Sequence, residues 1–234
     1  MPPAGIPPLA RLSGSADIAQ ALADLAAVEP TDPVRWRCGT TAPTAAFSRR
    51  DTLLPGYADA VEVVRRHGFE PVVRPVGGRL AAYDQGALVI HGWAGDPLAR
   101  NGILARFRAF GDLLARVLTD AGVPDVRVGS VPGEYCEGEW SLNQGGRHKL
   151  VGTGQRVRRN GWLFSAVVTV ADPNAVAAVL IDAYDALGLP LDPSTVGSVS
   201  AWVPGATPEL LAATLSDVLS DVLNDVLNDV QGDS

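Results

Sequence analysis

Three groups of residues in this chain have the types and spacing that chemistry uses. The first is Arg74-Pro-Val-Gly-Gly-Arg79, continued by Leu-Ala-Ala-Tyr-Asp-Gln-Gly-Ala-Leu88 and set between apolar runs at 69–73 and 87–93. It reads as strand, loop, strand. Gly77 and Gly78 can adopt backbone angles closed to other residues, and Arg74 and Arg79 put positive charge beside the exposed N–H groups. That is a cradle for a carboxylate or phosphate; a bare turn is the alternative. The second group is Lys149 followed by Gly152-Thr-Gly-Gln155, read as a tight turn. An ammonium held there can offset negative charge developing on a carbonyl oxygen, and a solvated surface lysine is the alternative. The third is Cys136, in the loop Pro132-Gly-Glu-Tyr-Cys-Glu-Gly138. A neighbouring cation would raise its thiolate fraction and make it a nucleophile, but His148 is the only histidine close in sequence, and an inert loop cysteine is the alternative.

The first two groups together resemble the catalytic domain of the lipoate–protein ligase family, whose relatives include octanoyltransferases and biotin–protein ligases. The family's first motif runs Arg-Arg-x-Ser-Gly-Gly-Gly-x-Val-x-His-Asp-x-Gly-x-Leu, and Arg74, Pro75, Gly77, Gly78, Asp84, Gly86 and Leu88 match it. Its second runs Arg-Lys-x-x-Gly-Ser-Ala-Gln, matched by Lys149, Gly152 and Gln155, and by Arg147 with a one-residue adjustment. Val76 replaces the serine, Arg79 the third glycine and Tyr83 the histidine, and the usual His-Gly after the second motif is replaced within 162–167. The resemblance covers roughly residues 30–200.

It implies an enzyme that activates lipoate or octanoate with ATP and Mg2+ and joins it to a lysine of a lipoyl carrier domain or a glycine cleavage H-like protein. Lys149 would be its catalytic residue. Arg74, Gly77, Gly78, Arg79, Tyr83, Asp84, Gly152, Thr153, Gly154 and Gln155 would bind substrate or nucleotide. On this reading Lys149→Ala costs about 2–4 kcal/mol in the barrier with the fold intact. Arg79 either narrows the glycine loop or binds a phosphate or carboxylate that the usual loop holds by main-chain amides. The alternative within the superfamily is a cofactor-free octanoyltransferase that takes octanoyl from acyl carrier protein onto Cys136, since one branch places its cysteine in the loop before the lysine motif. A third reading is a non-catalytic homologue that binds an acyl or nucleotide ligand.

The elements that position these groups follow from hydrophobic spacing. Helices are predicted at 16–28, at 57–67 ending on Gly68, at 101–119 with Asn101 as cap, and at 174–187 after Asp172-Pro173. Strands are predicted at 34–38, 45–50 and 126–128, and the almost continuously apolar 162–170 should lie centrally in its sheet. The fold class is therefore α+β, a mixed β-sheet with helices packed chiefly on one face. Residues 1–205 form one domain with a loose start over 1–14, and 206–234 form an amphipathic helix with an acidic tail.

The net charge is −7, but Asp217, Asp221, Asp225, Asp229 and Asp233 lie in a C-terminal stretch without Lys or Arg, so the body is near neutral. Arg65, Arg66, Arg74, Arg79, Arg147, Lys149, Arg156, Arg158 and Arg159 gather around the two motifs, which fits a local anionic ligand better than nucleic acid. The four-residue Asp-Val-Leu-Ser/Asn repeat drifts about 40° per repeat around a helix. It makes a frayed acidic end, with self-association as the alternative, and argues against membrane docking. Two cysteines without metal-ligand spacing, no apolar run long enough to span a bilayer and no export-like start predict a cytoplasmic protein without a metal site.

Overall fold

The computed structural model describes residues 9–219. Ten strands and five helices follow one another as β1 (Ala10–Leu12), α1 (Gly14–Ala26), β2 (Arg35–Thr41), β3 (Thr44–Phe47), α2 (Tyr57–Arg66), β4 (Glu70–Val73), β5 (Ala81–Tyr83), β6 (Ala87–Gly95), α3 (Ile103–Asp120), β7 (Val126–Val128), β8 (Leu142–Gln144), β9 (His148–Val157), β10 (Gly161–Thr169), α4 (Asn174–Leu187) and α5 (208–219). The fold is α+β with mixed sheets, as expected. The seven-stranded sheet runs β1-β2-β6-β10-β9-β8-β7 and places β10 fourth, at its centre.

Period-two alternation along β10 sorts its side chains onto two faces. Phe164, Ala166 and Val168 join Leu88 and Ile90 beneath Leu114, Val117 and Leu118 of α3 and Leu211 and Leu215 of α5. On the opposite face, Leu163 meets Ala21 and Leu25 of α1, and Val167 meets Ala46 and Tyr83. The last two belong to a second sheet, β4-β3-β5, which the sequence reading did not separate from the first. The outer side of that small sheet is covered by α2 and α4 through Phe47, Val64, Leu80 and Leu180. Helices thus lie on both sides of the molecule, with the two sheets between them.

Several local expectations change. The start is not loose throughout, because β1 pairs in parallel with β2, Ala10 opposite Gly39. A β-carbon at Gly39 would stand 2.6 Å from the Ala10 carbonyl oxygen, so the pairing uses a residue without one. Asn101 does not cap α3; the helix begins after Gly102 with no side-chain cap. Gly152-Thr-Gly-Gln155 is not a turn but the middle of β9, paired residue for residue with 164–167 of β10. The first motif is not one open loop either, since β5 pairs with β3 inside it.

His91, in the middle of β6, links Asp17 Oδ2 to Ser165 Oγ, each at 2.9 Å, and Arg37 Nη1 donates to Asp17 Oδ1 at 2.9 Å. Burial would raise the Asp17 pKa, but His91 and Arg37 hold it below the ordinary value, and the chain of contacts fastens α1 to the sheet. The part of the helix predicted over 206–234 that follows residue 219, its acidic tail and the self-association alternative all lie outside the described residues. Among the described residues no helix is long and apolar enough to cross a membrane.

Candidate active site

The two motifs meet at one cavity of about 420 Å³, between the inner face of the large sheet and the β4–β5 loop. Arg74, Gly77, Gly78 and Tyr83 line it from the first motif, and Lys149, Gly152, Thr153, Gly154 and Gln155 from the second. Cys136 comes from a third direction and also lines it. Asp84 stands apart: its Oδ1 accepts the Gly86 N–H at 2.8 Å and shapes the turn into β6.

Cys136 is the centre of the polar arrangement. Its Sγ accepts hydrogen bonds from Arg74 Nη2 at 3.0 Å and from the Arg79 main-chain N–H at 3.3 Å. Burial pushes the thiol pKa up, but Arg74, Lys149 and the Arg79 N–H outweigh it and bring the group below its ordinary value. Cys38 has no such company, and burial raises its pKa. Iodoacetamide should therefore label Cys136 before Cys38, and Arg74→Met should move the Cys136 labelling midpoint to higher pH because the thiolate loses its nearest cation; an unmoved midpoint would remove Arg74 from this role.

Cys136 also has φ of 44°, the left-handed region that non-glycine residues seldom occupy. Such strain persists only where surrounding contacts over-determine it. Here the Cys136 N–H donates to Tyr184 Oη at 2.6 Å, and Tyr184 itself donates to the Leu80 carbonyl at 2.9 Å. The Cys136 carbonyl accepts from Lys149 Nζ at 2.9 Å. Both ends of the peptide are fixed, so Sγ is aimed at the arginine.

Lys149, the single lysine of the chain, is almost fully buried and has all three donors engaged. They reach Glu134 Oε1 at 3.2 Å and the carbonyls of Tyr135 and Cys136, both at 2.9 Å. Desolvation lowers its pKa, with Glu134 acting in the opposite sense. The structure makes Lys149 the strut under the cysteine loop, and a donor to substrate only if one of these bonds is exchanged. It is not a solvated surface lysine.

Arg79 resolves the question raised by the missing third glycine. Its guanidinium pairs with the buried carboxylate of Asp51 at 3.3 Å, so the carboxylate it binds is the protein's own. Its main chain does the remaining work, the N–H on Cys136 and the carbonyl accepting from Arg74 Nη2 at 2.6 Å. Gly78 is the glycine the site requires. At φ of 101°, a β-carbon there would lie 2.6 Å from Cys136 Sγ and 2.9 Å from Arg74 Nη2. Gly78→Ala should cost about 1–3 kcal/mol of stability from the backbone alone and displace the thiol. At Gly77 an added β-carbon meets nothing within 4 Å, so Gly77→Ala should keep the wild-type denaturation midpoint. Chemical denaturation of the two variants checks both statements.

The far wall is built by α3 and the loop before β8. Phe107 stacks on Trp140 with ring centroids 5.4 Å apart, and Thr153 Oγ1 donates to the Trp140 carbonyl at 2.8 Å. Gln155 accepts from Arg106 Nε at 2.9 Å and donates to the Ile103 carbonyl at 3.0 Å, tying β9 to the start of α3. Glu134, Phe107, Trp140 and Tyr184 were not singled out from the sequence as site residues. Glu134 had a readable signal, an acid in the same loop as Cys136; Tyr184 had none, being in a helix 48 positions away.

The chain is similar to curated proteins named octanoyl-GcvH:protein N-octanoyltransferase. It is 31% identical to the one from Geobacillus kaustophilus over 62% of this chain and 50% of that protein. It is 30% identical to the one from Exiguobacterium sibiricum over 73% of this chain and 59% of that protein. The chain thus spans between half and three fifths of the length of these relatives. No protein-family model matches. Among solved structures, lipoate-protein ligase A bound with ATP superposes with a TM-score of 0.71 at 16% identity, over 93% of this chain and 84% of that one, which shows a shared fold.

Proposed function

We propose that this chain, a member of the lipoate/biotin protein ligase superfamily, is an acyltransferase that moves a medium-chain acyl group, octanoyl, between carrier proteins by way of a thioester on Cys136. The observation that carries the proposal is the Cys136 thiol held between Arg74 and the Arg79 N–H, in a strained and doubly anchored loop facing the cavity. The relatives named above bear on the donor, for their names specify octanoyl-GcvH. The ligase reading remains the alternative carried by the fold.

The Cys136 thiolate attacks the acyl carbonyl carbon, and the new S–C bond moves an electron pair onto the carbonyl oxygen. Arg74 Nη2 and the Arg79 N–H, which stand against the sulfur, are free to donate to that oxygen as the sulfur loses its charge. Collapse breaks the bond to the donor's lysine nitrogen, which takes a proton from solvent at the cavity mouth. The amine of the acceptor lysine then attacks the thioester and gives up a proton, and the thiolate leaves. The apolar cavity wall of Ile103, Phe107, Trp140 and Val167 suits the hydrocarbon chain.

ATP and Mg2+ fit this donor set poorly, and no step is routed through them. Of the basic side chains lining the cavity, Arg74 is committed to Cys136 and the Arg79 carbonyl, and Lys149 to its loop. Arg79 and Arg156 beside it are committed to Asp51 and the Pro75 carbonyl. Arg74 and Arg156 each keep a buried Nε without a partner among the described residues, and a triphosphate that needed more than these would have to break the contacts above. The test is the intact mass of the chain after incubation with octanoylated GcvH, and separately with octanoate, ATP and Mg2+. An octanoyl adduct in the first mixture, labile to hydroxylamine and absent in Cys136→Ser, is the expected result. Pyrophosphate release and acyl transfer in the second, with none in the first, would replace this reading by the ligase.

A further inference from the structure

Beside the cavity is a second concavity of about 400 Å³ that the reaction above does not use. Its walls are residues 97–101 before α3 and the β9–β10 turn, joined by the Asp96 N–H donating to the Asn160 carbonyl at 2.8 Å. Arg100 stands on one wall and Arg158 and Arg159 on the other, all three exposed. No carboxylate pairs with any of them among the described residues. The contrast with the basic side chains at the cavity is sharp, since those are engaged by protein acceptors. Three like charges held close without partners repel one another, so the cluster is poised for an external anion.

The cleft adjoins the active cavity along two elements. Gln155 and Val157 of β9 line the cavity and Arg158 follows them; Ile103 of α3 lines it three positions after Arg100. Arg106 locks the two regions together, donating to the Ala99 carbonyl on one side and to Gln155 on the other. Whatever binds the arginines therefore stands at the entrance to the acyl site.

We infer that Arg100, Arg158 and Arg159 form the docking surface for an acidic protein face, that of the carrier whose acylated lysine enters the neighbouring cavity. The inference rests on the acyl-transfer reading and adds to it the partner's chemistry and place. A protein suits the cleft better than a small anion. Solvated arginines contribute only about 0–1 kcal/mol per exposed pair, and no buried polar side chain lies beneath them to build a closed anion site. Several such pairs on an extended face would steer a carrier and fix its register, which is what a lysine arm threading into a narrow cavity needs.

The test separates docking from chemistry. Binding of octanoylated GcvH is titrated calorimetrically on the full chain carrying Cys136→Ser, so that no turnover occurs, at about 20 and about 200 mM NaCl, spanning Debye lengths from roughly 20 to under 10 Å. The same titration is run with Arg100→Glu/Arg158→Glu/Arg159→Glu added. The expected result is at least tenfold weaker binding and a flattened salt dependence in the triple variant. Restoration by a GcvH whose acidic residues around the acyl-lysine are changed to lysine would fix the pairing. Equal affinity and equal salt slope with and without the triple change overturn the inference. So does pyrophosphate binding that needs the three arginines while carrier affinity ignores the triple change, which would make the cleft a small-anion site. Acylation of Cys136 by a small octanoyl thioester, in protein that retains the cysteine, should be unchanged by the triple substitution. If carrier binds through the arginines but never acylates Cys136, the acyl-transfer reading fails and the docking surface stands.

Discussion

Cys136→Ser should fold as the wild type does and lose at least about a thousandfold in octanoyl transfer, on the order of 4 kcal/mol of transition-state stabilisation. The substitution is nearly isosteric, and the loop around it is held by contacts to its main chain rather than its sulfur: Tyr184 on the N–H and Lys149 on the carbonyl. What changes is the nucleophile. The Arg74 guanidinium and the Arg79 N–H bring the thiol pKa below its ordinary value and so favour its anion, whereas a hydroxyl starts far too high for the same two donors to ionise it. No histidine touches Sγ to act as its base, so serine would have neither charge nor proton acceptor. Transfer is measured by mass spectrometry of the acceptor protein, and folding by thermal denaturation. Transfer within tenfold of wild type would exclude covalent catalysis at this position and return the enzyme to direct attack or to ATP-driven activation.

Lys149→Ala should be the most destabilising single change at the site, by about 3–5 kcal/mol. The ammonium neutralises Glu134, whose side chain has no solvent exposure, and it satisfies two main-chain carbonyls besides. Deleting it leaves a buried carboxylate without counter-charge and unpins the Cys136 peptide. This revises the sequence-based expectation that the variant loses only rate with its fold intact. Lys149→Met/Glu134→Gln, which removes both charges and keeps most of the volume, should recover much of the stability while leaving transfer impaired, because the carbonyls that hold the cysteine loop remain unpaired. Urea denaturation gives the first quantity and Cys136 acylation the second. A single alanine variant as stable as wild type would mean that Glu134 takes up a proton or reaches water, and that the ion pair is not what supports the loop.

The sequence by itself determined which residues could do chemistry and the kind of scaffold that carries them. Gly77, Gly78, Lys149 and Cys136 stand out by type. The α2, α3 and α4 segments and the central β10 are legible because burial on one face imposes a spacing of 3.6 or 2 residues that survives in the sequence. Tertiary structure decided everything that depends on residues distant along the chain. Gly152 to Gln155 looks like a turn because glycine favours turns, yet β10 supplies a complete pairing partner and the segment extends as a strand. Arg79 looks like a free cation until Asp51, 28 positions earlier, is folded against it. Lys149 looks like a surface lysine or a substrate donor, and only the return of the loop carrying Glu134 converts it to a buried strut. Local propensity records the cost of a backbone shape. It does not record which side chain across the fold will neutralise a charge, and at this site those long-range pairings set the state of the sulfur.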